Sequence, residues 1–169
     1  MINLNFRKKM ADNWFSFLQE QICKEFQLLE NSRIKFYRRE WKKEKTKEGG
    51  GVSCLLSGGK IFDKVGVNKS TVSGKFQKQF RSKILGAGKN GNYWASGISV
   101  VAHMKNPKIP AIHFNTRYIV TTKEWFGGGV DVTPSFEDLK EKKIVHKKLQ
   151  EICFKNKKNY KKYKKWCDR

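Results

Sequence analysis

Between residues 93 and 121 the chain twice alternates apolar with polar or small residues, and the two runs are joined by Asn106-Pro107-Lys108-Ile109-Pro110. Period-two alternation fits extended chain, whose successive side chains point to opposite faces, and does not fit a helix, which repeats every ~3.6 residues. Proline cannot donate to a central ladder, so Pro107 and Pro110 belong in a connection. Residues 93–104 and 111–121 therefore read as an antiparallel hairpin. Centred on Lys108, it sets His103 opposite His113 and Ser99 opposite Arg117. His113, Asn115 and Arg117 then share a face with Ser99, Val101 and His103, while Ile112, Phe114 and Tyr118 share the other with Ile98, Val100 and Ala102. Imidazole, amide, hydroxyl and guanidinium on one rigid face can supply proton transfer, carboxylate recognition and metal ligation. A sheet face turned to water shows the same alternation, and the pattern alone leaves both readings open.

Trp14, Leu18, Ile22, Phe26 and Leu29 recur at three- and four-residue spacing after Asp12, which predicts an amphipathic helix over 13–30 with Asp12 as its N-cap. Short apolar runs at 34–41, 52–56 and 61–67 read as strands, punctuated by Gly49-Gly50-Gly51 and Ser57-Gly58-Gly59. Gly58-Gly59-Lys60 resembles the end of a phosphate loop, but the upstream glycine spacing is wrong. Ile61 also stands where a Ser or Thr would meet magnesium, so a nucleotide site is excluded. A short strand at 125–132, interrupted by Gly127-Gly128-Gly129, leads to Thr133-Pro134 as helix cap and first-turn proline. Helix follows to about Phe154, with a last basic helical segment at 157–168. Asp131, just after the glycines, is placed either to cap that helix or to point into a cleft. His146 lies on the helix, where a lone histidine is more often packed or solvated than catalytic. The order helix, antiparallel strands, helices gives an α+β class and one domain over residues 1–169.

The formal charge of +22 points to a polyanionic partner without choosing among nucleic acid, acidic lipid and a small molecule. Between Lys155 and Lys165 seven lysines are interleaved with Tyr160 and Tyr163, as in a nucleic-acid arm or a solvated helix face. Cys23, Cys54, Cys153 and Cys167 lie too far apart for a zinc ribbon or redox pair and read as reduced and structural. No apolar run suits a membrane span or secretory leader, so the expected location is cytoplasmic.

Taken in order, several stretches resemble the motifs of the oxygen-dependent coproporphyrinogen III oxidases over residues 41–169. They are Gly49-Gly50-Gly51-Val52-Ser53-Cys54, Phe62-Asp63-Lys64-Val65-Gly66-Val67-Asn68-Lys69-Ser70, residues 99–103 and Asn106-Pro107. His113-Phe114-Asn115-Thr116-Arg117-Tyr118, Trp125-Phe126-Gly127-Gly128-Gly129-Val130-Asp131-Val132-Thr133-Pro134 and Tyr163-Lys164-Lys165-Trp166-Cys167-Asp168 complete the series. The resemblance implies a flat antiparallel sheet flanked by helices, a porphyrinogen held over the sheet, and a homodimer. It implies oxidative decarboxylation of coproporphyrinogen III to protoporphyrinogen IX in haem biosynthesis. Molecular oxygen is the co-substrate, and no haem, flavin or redox metal is required. Carried over by position, Ser99, Asn115, Thr116 and Arg117 are substrate contacts, and Arg117 suits a fork-like grip on a propionate. His113 is the proton donor, and Asp131 the carboxylate that meets pyrrole N–H groups. His103, His113 and His146 match histidines that hold a divalent cation in some bacterial members.

The chain departs from the family's pattern in three places. Its glycine run is three residues after Glu48 rather than four, Glu124-Trp125 replaces a tryptophan pair and loosens the cleft wall, and the turn at 121–123 is short. Family members also continue past the Trp-Cys-Asp motif, which implies that the C-terminal half of the fold is absent here. Three readings follow: a working oxidase, an inactive truncated remnant of one, and, disfavoured by the ordered motifs, a basic nucleic-acid-binding protein.

Overall fold

The computed structural model describes residues 3–88 and 90–167, without the side chains of residues 46, 166 and 167. Asp168 and Arg169, which close the last motif and the chain, lie outside the described residues, as does the side chain of Cys167. The α+β class holds. Helix α1 (Leu4–Glu30) is followed by strands β1 (Tyr37–Lys42), β2 (Gly49–Ser57), β3 (Phe62–Lys75), β4 (Asn92–Met104), β5 (Ala111–Val120) and β6 (Glu124–Thr133), then helices α2 (Leu139–Lys155) and α3 (Tyr160–Cys167). The six strands form one antiparallel sheet in sequence order, each pairing with the next.

Helix α1 lies across one face of this sheet, mainly over β3 and β4. Ala11, Phe15, Leu18, Ile22 and Phe26 meet Cys54, Leu56, Phe62, Val65, Val67, Ile98, Val100 and Ala102 there. Burying a side chain such as Phe15 contributes about 1.5–3 kcal/mol. The expected stripe is one position out at its start. Phe15 takes the sheet position because it shares a face with Ala11, Ile22 and Phe26 at four- and seven-residue spacing. Trp14 is rotated outward against Phe17, with ring centroids 5.7 Å apart. Trp14 and Leu29 are 54% and 60% exposed.

The helix also begins nine residues before the expected start at 13, capped by Asn3, whose side chain accepts from the Asn5 N–H. Asp12 is thus not an N-cap but an interior residue that reaches the sheet. Its carboxylate pairs with the Lys69 ammonium at 2.5 Å and accepts from the Thr71 and Ser96 hydroxyls. Burial alone would raise the Asp12 carboxyl; these partners hold it below its ordinary range. They also explain why β3 runs to Lys75 and not to Val67: Lys69 and Thr71 lie on the helix side of a strand that sequence polarity appeared to end.

The loop after β2 holds a carboxylate of the chain itself. Glu30, the last residue of α1, is 1% exposed. Its carboxylate accepts from the backbone N–H groups of Lys60, Ile61 and Phe62 at 2.5, 3.1 and 3.0 Å. Gly58 has φ +71°, and a Cβ on Gly59 would stand 2.3 Å from Glu30 Oε2, so the two glycines shape a cradle for this side chain. Burial pushes the Glu30 carboxyl up, but the three donors outweigh it and hold it at about 2, below its ordinary 4.5. A carboxylate depressed in the fold stabilises it fully above the unfolded value and ceases to do so as pH falls through the folded one. Acid titration followed by circular dichroism is therefore expected to show stability falling between pH 4.5 and about 2. In Glu30→Gln that component of the pH dependence should be missing.

Helix α2 starts later than Thr133-Pro134 suggested. Its N-cap is Asp138, whose Oδ1 accepts from the N–H groups of Lys140 and Glu141 at 2.8 and 3.1 Å. The helix ends at Lys155, near the expected Phe154. His146 on α2 joins Tyr160 on α3 through a 2.7 Å Nδ1–hydroxyl hydrogen bond. Cys23, Cys54 and Cys153 carry free thiols. Burial pushes the Cys23 thiol up to about 12, and neighbouring Cys54 adds to the rise. Among the described residues no helix is long and apolar enough to cross a membrane.

Candidate active site

The face of the sheet opposite α1 carries a chemistry of its own. The β4–β5 register sets Ser99 opposite Asn115, Val101 opposite His113 and Gly97 opposite Arg117. The hairpin is thus centred on Pro107 rather than Lys108, and His103 and Ser99 do not face His113 and Arg117 as expected. Because the slip is two residues, each side chain keeps its face. Ser99 Oγ and His113 Nε2 lie 3.5 Å apart, and Arg117 donates through Nη2 to Asn115 Oδ1. The next strand adds Asp131, directly opposite His113. With α2 capped by Asp138, Asp131 has no capping role; its Oδ2 accepts from the Thr133 hydroxyl at 2.6 Å. Thr116 is the exception among the expected substrate contacts. It pairs with the buried Ile98, and the pleat places its side chain on the α1 side with Tyr118.

Glycines clear the ground around these groups. Arg117 is flanked by Gly97 on β4 and Gly127 on β6, and Asn115 by Ser99 and Gly129. A Cβ on Gly97 would stand 2.7 Å from Arg117 Cβ and 2.6 Å from Thr116 O. The glycine triplet does not interrupt β6, which is continuous from Glu124 to Thr133.

Sequence reasoning missed the other half of this face. Cross-strand rows continue from Asn115 through Ser99 and Asn68 to Ser53, and from Arg117 through Gly97 and Ser70 to Gly51, with Trp41 at the end. The Trp41 ring lies over Gly51, where an added Cβ would stand 2.9 Å from Cζ2. The period-two test applied to the hairpin would have found Ser53, Asn68 and Ser70 had it been applied to β2 and β3. Together these residues line a concavity of about 610 Å³, floored by small side chains, walled by Trp41 at one end and by His113, Asn115 and Arg117 at the other.

The three histidines are not brought together among the described residues. His113 lines this concavity. His146 lines a separate one of about 720 Å³ between the end of β6 and α2, and His103 borders neither. Among the described residues no group of three or more His, Cys, Asp or Glu side chains is arranged to hold a metal ion. The donor set expected for a divalent cation is therefore not assembled by His103, His113 and His146.

Glu124, the departure from the tryptophan pair, does not reach the open face and so loosens no wall there. It lies on the α1 side, where it takes a two-pronged contact from Arg7 at 2.9 and 3.1 Å and a hydrogen bond from the Tyr118 hydroxyl. Those donors hold its carboxyl below the ordinary range.

The chain is an α+β protein whose six-stranded sheet is covered on one side by a helix and bears on the other a trough with a forked cation, an amide and an imidazole, while Asp131, opposite His113, lines the adjoining concavity between the end of β6 and α2. Comparison with known proteins makes the assignment specific: a family model described as coproporphyrinogen III oxidase matches residues 10–169, and the chain belongs to that family. Relatives include the oxygen-dependent coproporphyrinogen-III oxidase of Rickettsia typhi, 46% identical over 162 residues, and that of Rickettsia prowazekii, 47% identical over 162 residues. Both alignments cover 90% of this chain and 57% of the relative. The oxygen-dependent coproporphyrinogen-III oxidase of Rickettsia akari is 45% identical over 170 residues, 95% of this chain and 60% of the relative. The chain thus spans rather less than two thirds of the length of these relatives.

Proposed function

We propose that the open face of the sheet binds coproporphyrinogen III and that the protein oxidatively decarboxylates it to protoporphyrinogen IX. The observation that carries this reading is the trough itself. Its floor of glycine and serine lets a broad macrocycle lie close to the backbone, and Arg117 stands between two glycines with room for a carboxylate to enter its fork.

For each of two propionates the reaction removes carbon dioxide and the equivalent of a hydride, leaving a vinyl group; oxygen takes the hydride equivalent and a proton to give hydrogen peroxide. The substrate supplies the electrons, and the residues bind and move protons. Arg117 grips a propionate while Asn115, which accepts from Arg117, fixes the plane of the guanidinium. Ser99 lends a hydroxyl beside His113, and His113 delivers a proton. Asp131 receives pyrrole N–H groups and stabilises the electron-rich ring that meets oxygen. The backbone of Thr116, rather than its side chain, borders the site. The homodimer and cytoplasmic location rest on kinship to the family alone.

Equilibrium titration with coproporphyrin III, the oxidised form of the substrate, tests the binding half of the proposal through the porphyrin's absorbance. Saturable binding by the wild-type chain is expected, and its absence from a folded sample would overturn the assignment of the face. Gly97→Ala should weaken that binding by about tenfold, because its methyl group would press on Arg117 Cβ and the neighbouring carbonyl and misplace the fork. Unchanged affinity in the variant would show that Arg117 needs no such clearance.

A further inference from the structure

We propose that Arg39 on β1 is a second carboxylate-binding residue, and that with Arg117 it selects porphyrinogens carrying carboxylates on opposite sides of the ring. The inference rests on the proposed function and adds to it a specificity determinant outside the family motifs.

Arg39 pairs with Ser53, Ser53 with Asn68, Asn68 with Ser99 and Ser99 with Asn115, so one row crosses the open face from β1 to β5. The row begins at a guanidinium and ends at the amide bonded to Arg117. Between them lie only hydroxyl and amide side chains, which interact with a ligand without competing for its charge. Arg39 is exposed, and no hydrogen bond or ion pair joins it to another described residue. A few cations of the chain are engaged in ion pairs, among them Lys69 with Asp12, Lys43 with Glu48 and Arg7 with Glu124; Arg39 is distinguished by its place at the end of this row. The open-face positions around Arg39 are Tyr37, Trp41, Gly51, Ser53 and Leu55, none of them acidic, so these neighbours provide no counter-ion.

Span argues for the kind of ligand. Four strand spacings separate β1 from β5, about 19 Å between backbones. Arginine side chains reaching toward each other from β1 and β5 would shorten that gap to the reach of a tetrapyrrole with its propionates. A small carboxylic acid would occupy one arginine only, whereas a ring with carboxylates on one edge would satisfy Arg117 and leave Arg39 free. The tetracarboxylate is the ligand that satisfies both.

The experiment compares wild type, Arg39→Ala and Arg39→Lys in titrations with coproporphyrin III, which has four carboxylates, and mesoporphyrin IX, which has two on adjacent pyrroles. Circular dichroism first establishes that the variants are folded. Wild type is expected to prefer coproporphyrin, and Arg39→Ala to lose about tenfold in affinity for it while holding mesoporphyrin as before, with Arg39→Lys in between. Unchanged coproporphyrin binding in Arg39→Ala, or an equal loss for both ligands, would overturn the role of Arg39 and leave the proposed function standing. Wild type that binds neither porphyrin would instead overturn the proposed function.

Discussion

Arg117→Ala is expected to weaken binding of coproporphyrin III by about 100-fold, because it removes a paired, charge-assisted contact worth about 3 kcal/mol. Arg117 is the cation beside His113, Asn115 and Ser99, and its flanking positions are glycines that leave the fork open to ligand. Its own intramolecular partner, Asn115, engages one nitrogen and leaves the others for a carboxylate. Arg117→Lys keeps the charge but loses the planar fork, so an intermediate loss of about tenfold is expected. Since Arg117 is exposed, both variants should melt close to wild type. A titration that gives wild-type affinity for Arg117→Ala would remove the residue from the site.

The second large effect lies on the other side of the sheet. Glu30→Gln should lower the melting temperature by about 10 °C, from the loss of about 3 kcal/mol where a charged acceptor serves three backbone donors. The amide has one oxygen for Lys60, Ile61 and Phe62, and its NH₂ group turns a donor toward donors. Gly59→Ala should act in the same direction, since its methyl would stand 2.3 Å from the Glu30 carboxylate. Differential scanning calorimetry of the two variants decides the matter. A wild-type melting temperature in Glu30→Gln would mean that the cradle does not hold α1 to the sheet. Coproporphyrin affinity should change little while the variant is folded, because Glu30 lies on the helix side and Arg117 on the open one.

The sheet was legible because its chemistry is written at period two. Side chains of β4 and β5 divide cleanly between core and open face, and even a two-residue error of register kept every one of them on its correct face. The strand β3 was half read, because Lys69 and Thr71 look like solvent-facing residues until Asp12 is brought over them from 57 and 59 positions earlier in the chain. The same non-local contact hid the true start of α1: Asp12 has the composition of a cap, and only the tertiary fold gives its carboxylate partners on the sheet. Ser57-Gly58-Gly59-Lys60 reads locally as a glycine turn, and the carboxylate its backbone holds comes from Glu30, about 30 positions earlier in the chain, which local spacing could not reveal. In the site, Ser99, His113, Asn115 and Arg117 are gathered on one face as their alternation suggested, and the β5–β6 register, which alternation within the hairpin does not give, sets Asp131 opposite His113. Thr116 is turned away by the same alternation. The expected metal donors are separated because His146 sits on a helix whose position relative to the hairpin no sequence period encodes.

Oxygen-dependent decarboxylation of coproporphyrinogen III is the activity proposed for this face. The direct measurement is an aerobic incubation of the purified chain with that substrate beside an oxygen-free control, with the products oxidised to porphyrins and separated by chromatography. Protoporphyrin and the singly decarboxylated intermediate are expected in the aerobic sample alone. A folded chain that gives neither product in oxygen would contradict the proposed activity.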